Sequence, residues 1–416
     1  MRRAMSVGRN SLVAALDIGT TKVCCFVAKP DGQGGSRVVG IGHQVSRGIK
    51  AGAVVDFDLA ESAVRNAVEA AERMAEERVE QVIVNVTGAQ AQAQTVGVEV
   101  AIAGHQIGDA DLQRVLDQTQ AHGAQPERRL LHAVPTDFTI DGNRGIRDPR
   151  GMFGANLGVM LNLVSVADGP LRNLELVVQR CHLEVADRVL SAYASGLATL
   201  VEDETDLGVT VLDMGGGTTG LSVFYGGSLV FADVIPVGGQ HVTNDIARGL
   251  ATPVAQAERL KTLYGSAIPS PSDEREMLAV PQIGEQGADA VQQVPRSMLV
   301  GIIQPRIEET YEMVRERLEA SGHARIAGRR LVLTGGASQL TGARELAARV
   351  LDKQARTGRP LRLQGLAEAT QGPAFATAAG LVAYSLARPF DVVGRTQARA
   401  ASGRFGRFGR WLKENF

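Results

Sequence analysis

Two short segments of this 416-residue chain carry the residue types that chemistry on a polyphosphate needs. The first reads Asp17-Ile18-Gly19-Thr20-Thr21-Lys22, and the second Asp213-Met214-Gly215-Gly216-Gly217-Thr218-Thr219-Gly220. Backbone N–H groups in a tight turn reach phosphate oxygens only where no side chain intervenes, which calls for glycine. Threonine hydroxyls add short hydrogen bonds. A carboxylate at the end of a strand, Asp17 or Asp213, orients the water around a Mg²⁺ ion, which keeps most of its hydration shell. Lys22 adds a compact positive charge for the outer phosphates. One Asp-x-Gly-Thr alone is a common turn. A second copy with three successive glycines carries more weight, and a third loop, Thr334-Gly335-Gly336-Ala337-Ser338, lies downstream where it would approach a nucleoside. The expectation is a clamp for a magnesium-bound nucleoside triphosphate, in which Asp17 and Asp213 act on the metal through water.

The elements around these loops repeat. A strand over Leu12–Leu16 runs into the first loop and one over Val23–Val27 leaves it, so the loop is a hairpin turn. A third short strand covers Val38–Ile41. Asp58 reads as an N-cap, with Glu61 completing a capping box, ahead of a helix burying Val64, Ala67, Val68, Ala71 and Ala75. Gln81–Val86 is again a strand. In the second half, a strand over Val209–Leu212, the Asp-x-Gly loop and a strand over Leu221–Tyr225 repeat the opening, a weak internal duplication. Between the halves, residues 89–164 alternate strand-like runs with a helix near Asp109–Gln120 and form an inserted subdomain. A strand over Leu161–Val166 and helices over Pro170–Cys181 and Ala186–Glu202 lead to the second half. Pro269–Val294 belongs to a looser insert, Pro305 should start or kink the helix over Ser297–Leu318, and Arg330–Leu333 is a strand. A helix over Phe375–Leu386 closes the globular part.

Composition narrows the function. The length exceeds what one core supports, so more than one packing unit is expected. A formal net charge of −1 gives no reason to invoke nucleic acid. Cys24, Cys25 and Cys181 are no disulfide framework and fit a reducing compartment. No Cys-x-x-Cys or His-x-x-x-His pair offers zinc ligands, and the seven histidines are scattered. No signal-peptide core and no run of the roughly 18 apolar residues that a spanning helix requires is present, so the expected location is the cytoplasm. No Gly-x-Ser-x-Gly elbow supports a serine nucleophile. Glu202, Asp203 and Glu204 read as a solvated helix end.

With its three loops in this order, the chain resembles the actin, hexokinase and seventy-kilodalton chaperone superfamily, and within it is most similar to the bacterial cell-division FtsA family. Leu16–Lys22 matches that family's first phosphate loop, Val211–Gly220 the second and Leu333–Leu340 the adenosine loop. Ala192–Leu197 and Ala374–Leu381 match two connecting helices whose small residues allow close crossing. Ile235-Pro236-Val237-Gly238-Gly239 with Val242–Ile246, and Ala257–Lys261, also look like the family. The resemblance implies an α/β, duplicated actin-like (ribonuclease H-like) fold, with two lobes around a nucleotide cleft and an inserted subdomain in each. It divides the chain into a first-lobe core (11–88 and 165–205, with 374–388 returning to it) carrying the insert 89–164. The second-lobe core is 206–236 and 297–373, with the insert 237–296. Beyond lie a linker over 389–403 and a helix over 404–416.

The same resemblance implies that ATP and Mg²⁺ are bound by Asp17, Gly19, Thr20, Thr21, Lys22, Asp213, Gly215, Gly216, Gly217, Thr218, Thr219, Gly238, Gly239, Gly335, Gly336, Ala337 and Ser338. Glu258 and Lys261, one turn apart on a helix, would contact the ribose or base; the competing reading is a solvated ion pair. The family usually carries an acidic residue where Gly220 stands, so weaker cation ordering or slow hydrolysis would follow, with binding preserved. No catalytic residue is assigned.

The last residues form an amphipathic pattern. At about 100° per residue, Phe405, Phe408, Trp411, Leu412 and Phe416 share one arc, and Arg407, Arg410 and Lys413 face away. This describes a helix lying on an anionic bilayer. Gly406 and Gly409 disfavour helix in water by about 1 kcal/mol each, so folding is expected on lipid. A terminal helix docking on its own domain, or a basic unstructured end, are the alternatives. Through the resemblance, the expected role is an ATP-binding, polymerising division protein at the cytoplasmic face of the cell membrane. It would tether the ring of the tubulin-like protein FtsZ, whose C-terminal peptide would dock on the second insert, and would recruit other division proteins. A pilus-assembly ATPase or a small-molecule kinase of the superfamily are the alternatives. A kinase needs a hydroxyl-activating base and an acceptor pocket that the sequence does not offer, and too little chain follows Pro389 for a chaperone's peptide-binding domain.

Overall fold

The computed structural model describes residues 12–31, 35–88, 90–123, 125–285, 290–361, 363–387 and 391. The helix expected over 404–416, with its eight candidate membrane residues, and all of the 389–403 linker except Asp391 lie outside them.

The chain opens with β1 (Val13–Ile18), β2 (Lys22–Pro30) and β3 (Ser36–Val45), followed by the small hairpin β4 (Ile49–Lys50) and β5 (Ala53–Val54). Helix α1 (Phe57–Ala75) then leads to β6 (Gln81–Val86). The α1 N-cap is Asp56, not Asp58: Asp56 is extended and its carboxylate accepts from Leu59 N at 3.0 Å. Asp58 and Glu61 instead bind Arg180 at 2.6 and 2.7 Å. The first insert comprises β7 (Gln92–Ala101), α2 (Asp109–Gly123), β8 (Arg128–Ile140), β9 (Asn143–Ile146) and β10 (Asn156–Ala167). These strands make their own sheet in the order β7-β10-β8-β9, with a separate core that includes Ile102, Leu116 and Leu157.

Helix α3 (Asp168–Arg180) and strand β11 (Glu184–Leu190) return to the first lobe, and helix α4 (Ser191–Thr199) follows β11 and touches strands of both lobes. The helix expected over Ala186–Glu202 is therefore two elements. Val185, Val189 and Leu190 continue a parallel ladder with β6, and helix begins only at Ser191. After α5 (Glu202–Leu207) come β12 (Val209–Met214), β13 (Thr219–Tyr225) and β14 (Ser228–Ile235). Glu204 is not a solvated helix end, because Arg356 holds it at 2.5 Å. The second insert is α6 (Gly239–Gly249), α7 (Val254–Tyr264) and the hairpin β15 (Met277–Pro281) and β16 (Val291–Pro295). Leu278, Val280 and Val294 bury this hairpin against the second core.

Helix α8 (Arg296–Ala320) carries Pro305 internally rather than starting at it. Strand β17 (Arg330–Thr334), α9 (Ala343–Leu351), β18 (Gln354–Thr357), β19 (Leu363–Gln364) and α10 (Ala376–Ala387) complete the described chain. Since β19 pairs with β3, the chain reaches the first sheet ahead of the return expected at 374.

The duplication is explicit in the sheets. One runs β11-β6-β1-β2-β3-β19 and the other β18-β17-β12-β13-β14. In each, the strand entering the Asp-x-Gly loop pairs antiparallel with the strand leaving it and parallel with its other neighbour. Two lobes of one topology, each carrying an insert, form the duplicated actin-like α/β fold. Helix α10 packs on β1, β2 and β6 of the first lobe, and α4 packs on β12 and β13 of the second. The two helices lie against each other, so their crossing is the seam between the lobes.

Candidate nucleotide site

Both Asp-x-Gly loops sit at equivalent ends of buried strands, and the fold turns them toward each other. The first turn closes with Gly19 N donating to Lys22 O at 2.9 Å, the second with Gly215 N donating to Thr218 O at 2.8 Å. A methyl on Gly216 would stand 2.8 Å from Thr21 Oγ1, and one on Gly217 would stand 2.8 Å from Ala51 Cα. No side chain fits between loops this close, which is the reason for glycine here. Thr20 Oγ1 accepts from Gly52 N at 3.1 Å, so the hairpin β4–β5 braces the first loop.

The remaining loops converge on the second. Gly239 N donates to Gly215 O at 3.0 Å and Gln240 N to Gly216 O at 2.7 Å. Thr219 Oγ1 donates to Val237 O at 2.8 Å. Gly335 has φ +83, which an L side chain rarely adopts, and a methyl there would lie 2.5 Å from Asp213 Oδ1. A methyl on Gly239 would meet Ala337 Cβ at 3.1 Å and Lys261 Nζ at 3.7 Å. Ser338 turns its hydroxyl back onto Gly335 O at 2.7 Å, tightening its own loop, and a methyl on Gly336 would face Ala374. Lys261 and Glu258 pair at 2.7 Å, yet Lys261 also donates to Thr243 Oγ1 at 2.8 Å and Gly239 O at 3.2 Å. The pair is thus tied to the Gly238–Gly239 loop and is more than a solvated surface bridge. Thr218 is buried beside these loops.

The two aspartates are buried, and each feels Lys22. Burial pushes Asp17 up to about 7, Lys22 opposes this, and the negative charge of Asp213 adds to it. No described residue donates a hydrogen bond to the Asp17 carboxyl. Burial also raises Asp213, against hydrogen bonds from Ser195 and Thr377 and the Lys22 charge. Lys22 itself donates to Ala374 O and lies 3.6 Å from the centre of the Phe375 ring. A strongly hydrated cation can hold two carboxylates through its water, and two buried carboxylates with few competing donors are the chemistry such an ion requires. Among the described residues no group of three or more His, Cys, Asp or Glu could ligate a metal directly. At Gly220, the cross-strand partner of Asp213, a methyl would stand 2.8 Å from Ala192 Cβ. Helix α4 closes over this position, so a carboxylate there would require α4 to move.

Several residues around the site carry no motif. Ser195 and Thr377 bind Asp213 at 2.6 and 2.9 Å. Asn85 Oδ1 accepts from Ile18 N at 2.6 Å. Only the match of 192–197 and 374–381 to connecting helices brought the first two near the site in the sequence.

A sequence model described as "Cell division protein FtsA" matches residues 210–380, and one described as "SHS2 domain inserted in FTSA" matches residues 88–165. The cell division protein FtsA of Rhizobium meliloti (strain 1021) is 46% identical over 98% of this chain and 96% of its own length. Among solved structures, a PilM–PilN type IV pilus biogenesis complex has a TM-score of 0.64 at 17% identity, covering 91% of this chain and 99% of its own. MreB5 of Spiroplasma citri bound to ADP has a TM-score of 0.55 at 13% identity, covering 92% and 98%. These two likenesses concern the fold.

Proposed function

Since the chain belongs to the FtsA family of cell-division proteins, we propose that it binds ATP with Mg²⁺ between its lobes, polymerises, and tethers the FtsZ ring to the cytoplasmic membrane. The observation that carries this reading is that five glycine-bearing loops from both lobes meet at the two turns that follow Asp17 and Asp213. In this reading the backbone of Gly19–Thr21 and Gly215–Gly217 cradles the phosphates. The Gly335–Ser338 loop, with Glu258 and Lys261, takes the nucleoside. Mg²⁺, held through water by Asp17 and Asp213, supplies charge neutralisation for the phosphates.

Lys22 has two uses for its charge. It rests on Ala374 O and Phe375 of the segment that begins α10, and bound phosphate would compete for it. Nucleotide state would then reach the lobe seam and, through it, contacts between copies of the chain, in which the first insert would take part. No described residue is assigned as a hydrolytic base, and the proposed role is structural.

The proposed anchor is residues 404–416. Phe405, Phe408, Trp411, Leu412 and Phe416 would enter an anionic bilayer, and Arg407, Arg410 and Lys413 would lie at its headgroups. Among the described residues no helix is long and apolar enough to span a membrane. Partners would be the FtsZ C-terminal peptide on the second insert, other division proteins, and copies of the chain itself. The test is nucleotide- and vesicle-dependent polymerisation of wild type, Asp17→Ala and Trp411→Glu. Asp17→Ala should weaken ATP binding at least tenfold. Trp411→Glu should keep ATP binding and leave anionic vesicles. Vesicle binding unchanged in Trp411→Glu refutes the anchor, and ATP binding unchanged in Asp17→Ala refutes the clamp.

A further inference from the structure

The two oxygens of the Asp213 carboxylate have different surroundings. Oδ1 faces the Gly335 turn. Oδ2 accepts from Ser195 Oγ at 2.6 Å and from Thr377 Oγ1 at 2.9 Å. The two hydroxyl oxygens are 3.0 Å apart. A hydroxyl has one proton, so with both protons given to the carboxylate none remains to bridge the pair. Both hydroxyls are buried, Ser195 completely.

What makes this triad consequential is the origin of its members. Asp213 ends β12 of the second lobe. Ser195 lies on α4, which packs on β12, β13 and β14 of that lobe as well as on β11 and β6 of the first, whereas Thr377 lies on α10, whose strand packing is on β1, β2 and β6 of the first. The hydrogen bond from Thr377 to Asp213 therefore crosses the lobe seam. Close to it, α4 and α10 approach without a side chain between them: a methyl on Gly380 would overlap the Ala194 carbonyl. Nothing soft separates the helices, so a slide of either by about 1 Å would stretch an O–H···O bond past its range.

We propose that Ser195 and Thr377 are positioning residues that direct Asp213 Oδ1 into the cleft and lock its orientation to the crossing of α4 over α10. Under this arrangement the aspartate that carries the cation's water and the joint between the lobes move as one unit. The proposal rests on the reading of the cleft as a Mg–nucleotide site, and it adds the route by which occupancy sets lobe geometry. Outer partners of metal-bearing groups change metal affinity by about 10–100-fold when removed.

The test uses full-length wild type, Ser195→Ala, Thr377→Val, the double variant and the hydroxyl-retaining Thr377→Ser. ATP affinity is measured in Mg²⁺ and in EDTA, and backbone hydrogen exchange is followed over 191–199, 376–387 and 335–338. Thr377→Val and the double variant should lose about tenfold or more in Mg²⁺ and stay within about twofold in EDTA. Thr377→Ser should match wild type, and Thr377→Val should add nothing to Asp213→Asn. Mg–ATP should slow exchange in both helices of wild type. In the double variant it should protect 335–338 alone. If the double variant does not fold, Ser195→Ala carries the same comparison with a smaller, severalfold loss. Equal losses with and without Mg²⁺, or full helix protection in the variants, overturn the proposal. Failure of wild type to bind Mg–ATP would instead remove the reading beneath it.

Discussion

Asp17 and Asp213 end equivalent strands of a duplicated fold, yet the protein holds them in opposite ways. In the first lobe the backbone is gripped and the carboxylate is left alone. Asn85 takes the Ile18 N–H at 2.6 Å and donates to Thr87 Oγ1 and Ser191 Oγ at 3.1 and 3.2 Å, while the Asp17 carboxylate receives no hydrogen bond from any described residue. In the second lobe the carboxylate itself is gripped by Ser195 and Thr377. Duplication has kept the strand order and the turn. What has diverged is the set of polar groups that reach each loop from outside its own hairpin. One carboxylate is held in place by two hydroxyls; the other is not.

The largest test of this contrast is at the seam. Gly380→Val drives a side chain into the Ala194 carbonyl, and overpacking of that kind destabilises by about 3 kcal/mol or more. Soluble yield and thermal midpoint should fall sharply. Gly301, in α8, has nothing within 4 Å of the same position, and Gly301→Ala should hold or raise the midpoint, since Ala exceeds Gly in helix propensity by about 1 kcal/mol. Equal tolerance at both sites would mean that the helices are free to part, and the grip on Asp213 would lose its basis.

A smaller effect separates the two carboxylates directly. The Asp17 carboxyl is raised from 3.8 to about 7 in the folded protein. Between those values the native state keeps a proton that the unfolded state has released, so stability falls as pH rises from about 4 to about 7 and is level above. Asp17→Asn removes that dependence. Without nucleotide it should stabilise the protein at pH 8 by about 1–3 kcal/mol, scaled down from about 1.4 kcal/mol per pKa unit for the less favourable amide. The gain should vanish near pH 4. Asp213→Asn should gain less, because the Ser195 and Thr377 hydroxyls, which have no counterpart at Asp17, already offset part of the burial of its charge. Urea unfolding from pH 4 to 8 reads both, and a larger gain at Asp213 would invert the comparison.

The sequence made the loops readable because Asp, Gly and Thr in a fixed order have few other uses at a strand end. The sheets followed from the same hairpins, and the repeat of strand order was visible as a repeat of motif. The supports were not visible. Ser195 and Thr377 are 182 residues apart and meet only through a helix crossing, and Ser and Thr on Ala-rich helices carry no signature. The strand–helix boundary at Leu190/Ser191 was hidden because the buried end of β11, Val189 and Leu190, runs straight into the buried helix α4, with no change of apolar period at the join. Asp391 shows the same limit. It sits in a stretch that reads as linker, yet it is buried, bonded to His132 Nδ1 at 2.5 Å and to the Tyr384 hydroxyl at 3.2 Å. A lone carboxylate after Pro389 gives no sign of a partner on β8.

The smallest predicted effect asks whether the first loop's charge moves. Lys22 lies 3.6 Å from the Phe375 ring centre, and that ring stacks on Phe26 with centroids 6.1 Å apart. Phe375→Leu keeps an apolar contact for Phe26 but removes the ring face, a loss of about 0.5–1 kcal/mol for a partly exposed cation–π pair. The thermal midpoint of the nucleotide-free protein should drop by a few degrees at most. If phosphate draws Lys22 off the ring, that contact is already absent in the bound state, and its loss destabilises only the free protein. The rise in midpoint on adding Mg–ATP should therefore be larger in Phe375→Leu than in wild type. An equal drop with and without nucleotide would mean that Lys22 stays on α10's lead-in segment. The contrast between the lobes would then lie in the carboxylates alone, with no mobile charge on the first side to answer the fixed one on the second.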